Sequence, residues 1–163
     1  NVHGWHIQTR GAFDGLVKML RAARPDVVAL QEASKGRVPE LAEALGGMHW
    51  TVRHNCAILS HHPLRGLEEN QLSGRGKQAD NGGRGGKGDR KGRHSVATVS
   101  PRDGIDIQIC CLHLDHVREP TRLEQLHSIA QRQLGAPKPA SQLWLGDFNA
   151  LARSDYYKVW GNY

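Results

Sequence analysis

The 163 residues suit one domain with one sizeable core, and no apolar run approaches the ~18 residues that a membrane-spanning helix needs. The net charge of +6 does not describe a basic domain face, because the segment Ser73 to Arg93 supplies +5 of it through seven basic and two acidic residues. No apolar signal core follows Asn1, and the three cysteines, Cys56, Cys110 and Cys111, form no CxxC pair, which predicts reduced, buried thiols in an intracellular protein of the cytoplasm or nucleus.

Apolar residues at Phe13, Leu16, Val17, Leu20 and Ala23 recur with helical spacing after Thr9 or Gly11, and Pro25 ends that helix. The run DVVALQE reads as a buried strand. Val38 to Leu45 reads as a short helix stopped by Gly46-Gly47. His49 to Arg53 and Cys56 to Ser60 read as strands, with a turn at His62-Pro63. Ser73 to Arg93 carries eight glycines and almost no apolar residue, so it is expected to be a disordered basic insertion. His94 to Ser100 and Ile105 to Leu114 follow as strands, and in the second of these Cys110 and Cys111 point to opposite faces. Glu119-Pro120 opens a helix whose predicted buried stripe is Leu123, Leu126, Ile129, Ala130 and Leu134, ended by Gly135 and Pro137. Gln142 to Leu145 is a last buried strand leading into Gly146-Asp147-Phe148-Asn149. Helices alternating with strands early, then strands clustered as hairpins, predict an α/β sandwich rather than a simple doubly wound sheet.

Three of these strands end in polar groups: Gln31-Glu32, then His113 with Asp115 and His116, then Asp147 with Asn149. Ligands of α/β folds bind beyond the carboxyl ends of strands. Carboxylates, an amide and imidazoles gathered there would suit a hard cation such as Mg²⁺, with Mn²⁺ as the alternative, and a phosphate. Each residue also has an ordinary reading. A strand-end Glu is commonly just solvated, and Asp and Asn two apart commonly form a turn.

In chain order, PDVVALQEA, CAILSHHPL, HLDHVREPTRLEQL and LWLGDFNA resemble the signatures of the endonuclease/exonuclease/phosphatase superfamily, the DNase I-like fold. GDFN is the most specific of them, and the four together run along nearly the whole chain. The resemblance implies a four-layer α/β sandwich, two mixed sheets flanked by helices, and Mg²⁺-dependent hydrolysis of a phosphate ester. It implies that Glu32 and Asn1 approach the metal and that His113 contacts the scissile phosphate. Asp147 would orient or activate the nucleophile, and Asn149 would steady the phosphoryl oxygens. Arg122 and Gln125 would brace the site from behind, with Asp115 and His116 as secondary candidates.

The family pattern ends in a Ser-Asp-His-like segment that activates water. Here Ser154-Asp155 is followed by Tyr156, and the residues after Asn149 read as the start of a helix. The chain is therefore expected to be a partial domain, incomplete at the C-terminus and inactive alone. The substrate is a phosphate ester, with nucleic acid slightly favoured because the basic insertion can meet phosphates. That insertion has no aromatics for base stacking. The alternatives are an inactive scaffold of the same fold, or a protein that associates with RNA through the Gly/Arg-rich insertion. The sequence does not fix the oligomeric state.

Overall fold

The computed structural model describes residues 1–3, 11–67, 72–74, 93–134 and 141–150. Helix α1 (Ala12–Ala23) turns Phe13, Leu16, Val17 and Leu20 inward. Arg24 ends it in the left-handed conformation at φ 50°, returning its N–H to the Leu20 carbonyl at 2.9 Å, and Pro25 blocks continuation. Strand β1 (Val27–Leu30) and helix α2 (Arg37–Ala44) follow. Arg21 of α1 donates from Nε and Nη2 to the Ala44 carbonyl at 2.9 and 2.7 Å, satisfying an acceptor that the end of α2 leaves open.

Strands β2 (His49–Arg53) and β3 (Cys56–Ser60) form a hairpin whose two turn residues, His54 and Asn55, both have positive φ, 48° and 64°. That is the two-residue turn matched to the twist of paired strands. All five residues of β3 are buried, because it lies mid-sheet with both faces covered. Short strands β4 (Leu64–Arg65) and β5 (Leu72–Gly74) come next, the latter pairing with β2. The first sheet has the order β1-β3-β2-β5, and all its described pairs are antiparallel.

The second sheet has the order β4-β6-β7-β8, where β6 is Arg93–Arg102, β7 is Ile105–His113 and β8 is Ser141–Asp147. Helix α3 (Glu119–Leu134) joins β7 to β8, which run parallel, as a crossover helix permits. This sheet is mixed, whereas the sequence reading expected both sheets to be.

Three apolar clusters define the layers. Val28, Leu30, Ala57 and Leu59 pack against α1 and α2. Cys56, Ile58, Ala97, Val99, Ile109 and Cys111 fill the space between the sheets. Val96, Cys110, Leu112 and Leu114 pack with Ile129 of α3. Adjacent Cys110 and Cys111 thus serve opposite faces of β7, as strand alternation requires, and all three cysteines are free and buried.

Several sequence expectations are corrected. Leu123 is 60% exposed, whereas Ile129 is buried as expected with Leu126 partly buried beside it, and the buried face of α3 also carries Gln125 and Gln133. A polar contact sets this rotation: Gln125 Oε1 accepts the Asp115 N–H at 2.8 Å, so the helix must present Gln125 inward. Ser73 and Gly74, expected in the disordered insertion, pair with β2, and Arg93, expected at its other end, opens β6. The open edge of β2 offers backbone partners that need no apolar side chain. Strand β8 runs on through Gly146 to Asp147, and it is only partly buried, with Leu143 48% exposed, because no described strand pairs with its outer edge. Residues 75–92, Gly135, Pro137 and Ser154-Asp155, together with the side chain of Leu134, lie outside what the structure describes.

Candidate active site

The carboxyl ends of β1, β7 and β8 meet at one rim of the sandwich. The parallel register sets Asp147 of β8 directly beside His113 of β7. Gly146 makes that register attainable. Its φ is 147°, and a Cβ there would stand 1.9 Å from the Leu112 carbonyl oxygen. Only glycine combines that backbone conformation with that approach.

Beyond β1, Glu32 holds a left-handed conformation at φ 57° that a non-glycine residue adopts only when its surroundings impose it. Two contacts impose it. Buried Gln31 anchors the residue before, donating from Nε2 to Cys111 Sγ at 3.2 Å, and the Ala33 N–H reaches the Asn55 carbonyl at 2.9 Å. Beyond β8, Asn149 is likewise left-handed at φ 49°. Its N–H returns to Asp147 Oδ1 at 3.0 Å, and its Nδ2 donates to the Leu114 carbonyl at 2.9 Å. The Asp147–Asn149 pair thus does form a turn, and that turn fixes where Asp147 points.

Asn1 connects the two carboxylates. Its Nδ2 donates to Glu32 Oε1 and to Asp147 Oδ2, each at 3.0 Å, while its Oδ1 accepts the His3 N–H at 2.8 Å. The Val2 N–H bonds the Gln31 carbonyl at 2.9 Å, laying this segment alongside the end of β1. His113 stands over the pair, with Nε2 3.9 Å from Glu32 Oε1 and 4.0 Å from Asp147 Oδ2. Burial lowers the His113 pKa below its ordinary 6.5 against the opposing pull of Asp147 and Glu32, so the ring is neutral at pH 7 with one donor and one acceptor. Partial burial of Asp147 favours its neutral acid, yet the amide of Asn1 and the N–H of Asn149 outweigh it and hold the carboxyl below its ordinary 3.8.

The remaining candidates form the wall behind. Asp115 Oδ1 accepts the N–H groups of Val117 and Arg118 at 2.9 and 2.7 Å, and these bonds hold its pKa down. Gln125 takes the Asp115 N–H, and Arg122 Nη1 donates to the Asp115 carbonyl at 3.2 Å. Both helix residues therefore brace the backbone of the β7–α3 connection, and Gln125 also lines the cleft. His116 is exposed on the cleft wall. Asn1, Glu32, His113, Asp147 and Asn149 line a cleft of about 710 Å³ with Asp115, His116 and Gln125, and Arg122 stands behind its wall.

His3, Asn55 and Arg93 also line this cleft and were missed from the sequence. His3 lies beside Glu32, with Nδ1 3.4 Å from Oε2. A signal for Arg93 was available, because it is the last charge before an apolar strand that runs antiparallel to the one ending in His113. Asn55 had none beyond its place in a hairpin turn.

Comparison with known proteins fits this geometry. The Endonuclease/Exonuclease/phosphatase family model matches residues 5–163. The chain belongs to that family. No curated protein sequence matches it. Among solved structures, humanized D. rerio TDP2 aligns with a TM-score of 0.66 at 20% identity, over 98% of this chain and 68% of that one. D. rerio TDP2 complexed with a single-strand DNA product aligns at 0.61 and 18%, over 93% of this chain and 59% of that one. ANGEL2, a 2′,3′-cyclic phosphatase, aligns at 0.61 and 16%, over 90% of this chain and 46% of that one. The chain thus spans from about half to two-thirds of these relatives, and the likeness establishes a DNase I-like α/β fold.

The donor set fits a hard divalent cation. Glu32 Oε1 and Asp147 Oδ2 both accept from the single amide nitrogen Nδ2 of Asn1, so one oxygen of each carboxylate faces the same point. Among the described residues, no three His, Cys, Asp or Glu side chains enclose a metal by themselves. Mg²⁺ requires no such cage, since it takes one or two carboxylates and leaves other positions to water and phosphate.

Proposed function

We propose that this chain carries the centre of a Mg²⁺-dependent phosphoesterase acting on phosphate esters, nucleic acid foremost, with Mn²⁺ as a substitute ion. The observation that carries this reading is the convergence of Glu32 Oε1 and Asp147 Oδ2 on one shared partner. Charge balance supports it. Among the described residues, the cleft holds three carboxylates, Glu32, Asp115 and Asp147, against the one guanidinium of Arg93. An anionic ester would be repelled from such a cleft unless a cation entered first.

Glu32 and Asp147 would hold the ion, with the Asn1 amide beside them, and when bound it supplies charge screening for the phosphate and for the transition state. The protein's own groups do the rest. Neutral His113 donates a hydrogen bond to a non-bridging phosphoryl oxygen. Asp147, held ionised by its two donors, accepts a hydrogen bond from the attacking water and orients it. Asn149 braces Asp147 through the turn and presents the rest of its amide to the cleft. Nucleic acid is favoured because one relative is seen with a single-strand DNA product and because the insertion is basic.

Hydrolysis of bis-p-nitrophenyl phosphate and of a short oligonucleotide by the full-length protein that contains this chain, measured in chelator and then with added Mg²⁺, tests the reading. Turnover should appear only with the ion. Asp147→Ala should abolish it with little change in melting temperature, and Glu32→Gln should shift the Mg²⁺ titration to higher concentration. Turnover in chelator, or full turnover in Asp147→Ala, would sink the proposal.

A further inference from the structure

The two carboxylate oxygens of Glu32 have different neighbours. Oε1 accepts the Asn1 amide at 3.0 Å and faces the point it shares with Asp147. Oε2 instead has His3, whose Nδ1 lies 3.4 Å away. An ionised carboxylate only accepts hydrogen bonds, so Nδ1 bears the hydrogen in this contact. The His3 side chain is 87% exposed, so polar contacts and not packing place it. Its N–H donates to Asn1 Oδ1 at 2.8 Å, closing a turn over Val2, and its backbone is left-handed at φ 49°. That turn fixes which end of the Asn1 amide meets the carboxylates. Oδ1 is engaged by the His3 backbone, and Nδ2 is left for Glu32 and Asp147. His3 thus acts on Asn1 through its backbone and on Glu32 through its ring.

The consequence depends on the ion. Mg²⁺ holds its oxygens at about 2.0–2.1 Å in a near-ideal octahedron that keeps several waters, so one oxygen per carboxylate suffices. Ca²⁺ takes about 6–8 oxygens at about 2.3–2.6 Å and readily draws both oxygens of one carboxylate. An ion that takes Oε1 alone leaves the His3 contact in place. An ion that takes both oxygens competes with the imidazole for Oε2. We infer that His3 is a positioning residue that holds Glu32 to one-oxygen ligation and so favours Mg²⁺ over Ca²⁺. This rests on the phosphoesterase reading of the cleft. It adds a specificity determinant that lies outside all four of the sequence motifs.

Cation binding tests this without requiring turnover. Mg²⁺ and Ca²⁺ affinities are measured by titration calorimetry on the full-length protein that contains this chain. His3→Gly removes the imidazole, and glycine adopts the left-handed backbone freely, so the turn over Val2 persists. Its melting temperature without added ion should stay close to the parent's, because the lost ring is exposed. Its Mg²⁺ affinity should fall about tenfold or more, the scale for losing the partner of a ligating carboxylate. Its Ca²⁺ affinity should change far less, so the preference between the ions falls by about the same factor. His3→Asn puts an amide N–H where Nδ1 stood and tolerates the left-handed backbone, so it should restore most of the preference. An unchanged preference in His3→Gly overturns the inference, as does an equal loss for the two ions. A preference as low in His3→Asn as in His3→Gly also overturns it, because a donor at that position would then not be what directs Glu32. Absence of Mg²⁺ binding in the unaltered protein would refute the phosphoesterase reading along with this one. Mg²⁺ binding with a preference indifferent to His3 refutes this one alone.

Discussion

Gly146→Ala isolates the step by which backbone geometry positions the Asp147 carboxylate. The new Cβ would meet the Leu112 carbonyl oxygen at 1.9 Å, so β7 and β8 must part by ~1.5 Å to restore ordinary contact. The φ of 147° adds a conformational cost of about 1–3 kcal/mol, since L-residues hardly populate that region. A loss near the upper end of that range lowers the melting temperature of a domain this size by about 6–12 °C. The same displacement moves Asp147, the next residue, and a shift of about 1 Å at a reacting group costs on the order of 100-fold in rate. Thermal melts and phosphodiester turnover should therefore fall together. Gly104→Ala is the control, because its φ of 76° imposes strain but nothing lies within 4 Å of the added methyl. It should lower the melt by a smaller amount and leave turnover of the folded protein intact. A Gly146→Ala protein with the parent's melt and rate would refute the argument that this glycine sets the register.

Two further outcomes are expected. Asp115, whose folded pKa lies below its ordinary 3.8, stabilises the fold above that pH and loses this effect as pH falls through the folded value. Asp115→Ala should therefore lower the melting temperature at pH 7, and the gap to the parent should narrow as the pH falls below 3.8. A gap independent of pH would show that the carboxylate's charge is not what caps the β7–α3 turn. Ile129→Ala should destabilise by about 2–5 kcal/mol because the residue is wholly buried, whereas Leu123→Ala, at 60% exposure, should cost under about 0.5 kcal/mol. The opposite ranking in denaturant melts would restore Leu123 to the buried face of α3.

The elements legible in the sequence were those whose apolar period or punctuation is strong. Pro25, the Gly46-Gly47 stop and the hydrophobic runs of β1, β3, β6 and β7 placed α1, α2 and the central strands nearly to the residue. The rotation of α3 was not legible, because Leu123 and Gln125 exchange their usual places to satisfy one backbone N–H of the site wall. Strands β4 and β5 are too short for a period to show. In the site, Glu32, His113, Asp147 and Asn149, which the motifs named, meet Asn1, which the family resemblance added. His3, Asn55 and Arg93 reach the same cleft through a terminal segment, a turn and a strand start, where residue type carries no local signature.

The Asn1 amide bonds Asp147 across a sequence separation of 146 residues, and Glu32 across 31. Together the two contacts require the first segment, the first sheet and the second sheet to have docked. Long-range closures of this kind come late, since their entropy cost precedes any reward. On refolding, helix and strand signals should thus recover before the two carboxylates converge. The competent pocket is a reporter of completed assembly, and a chaperone or protease would meet the chain many times before a substrate could.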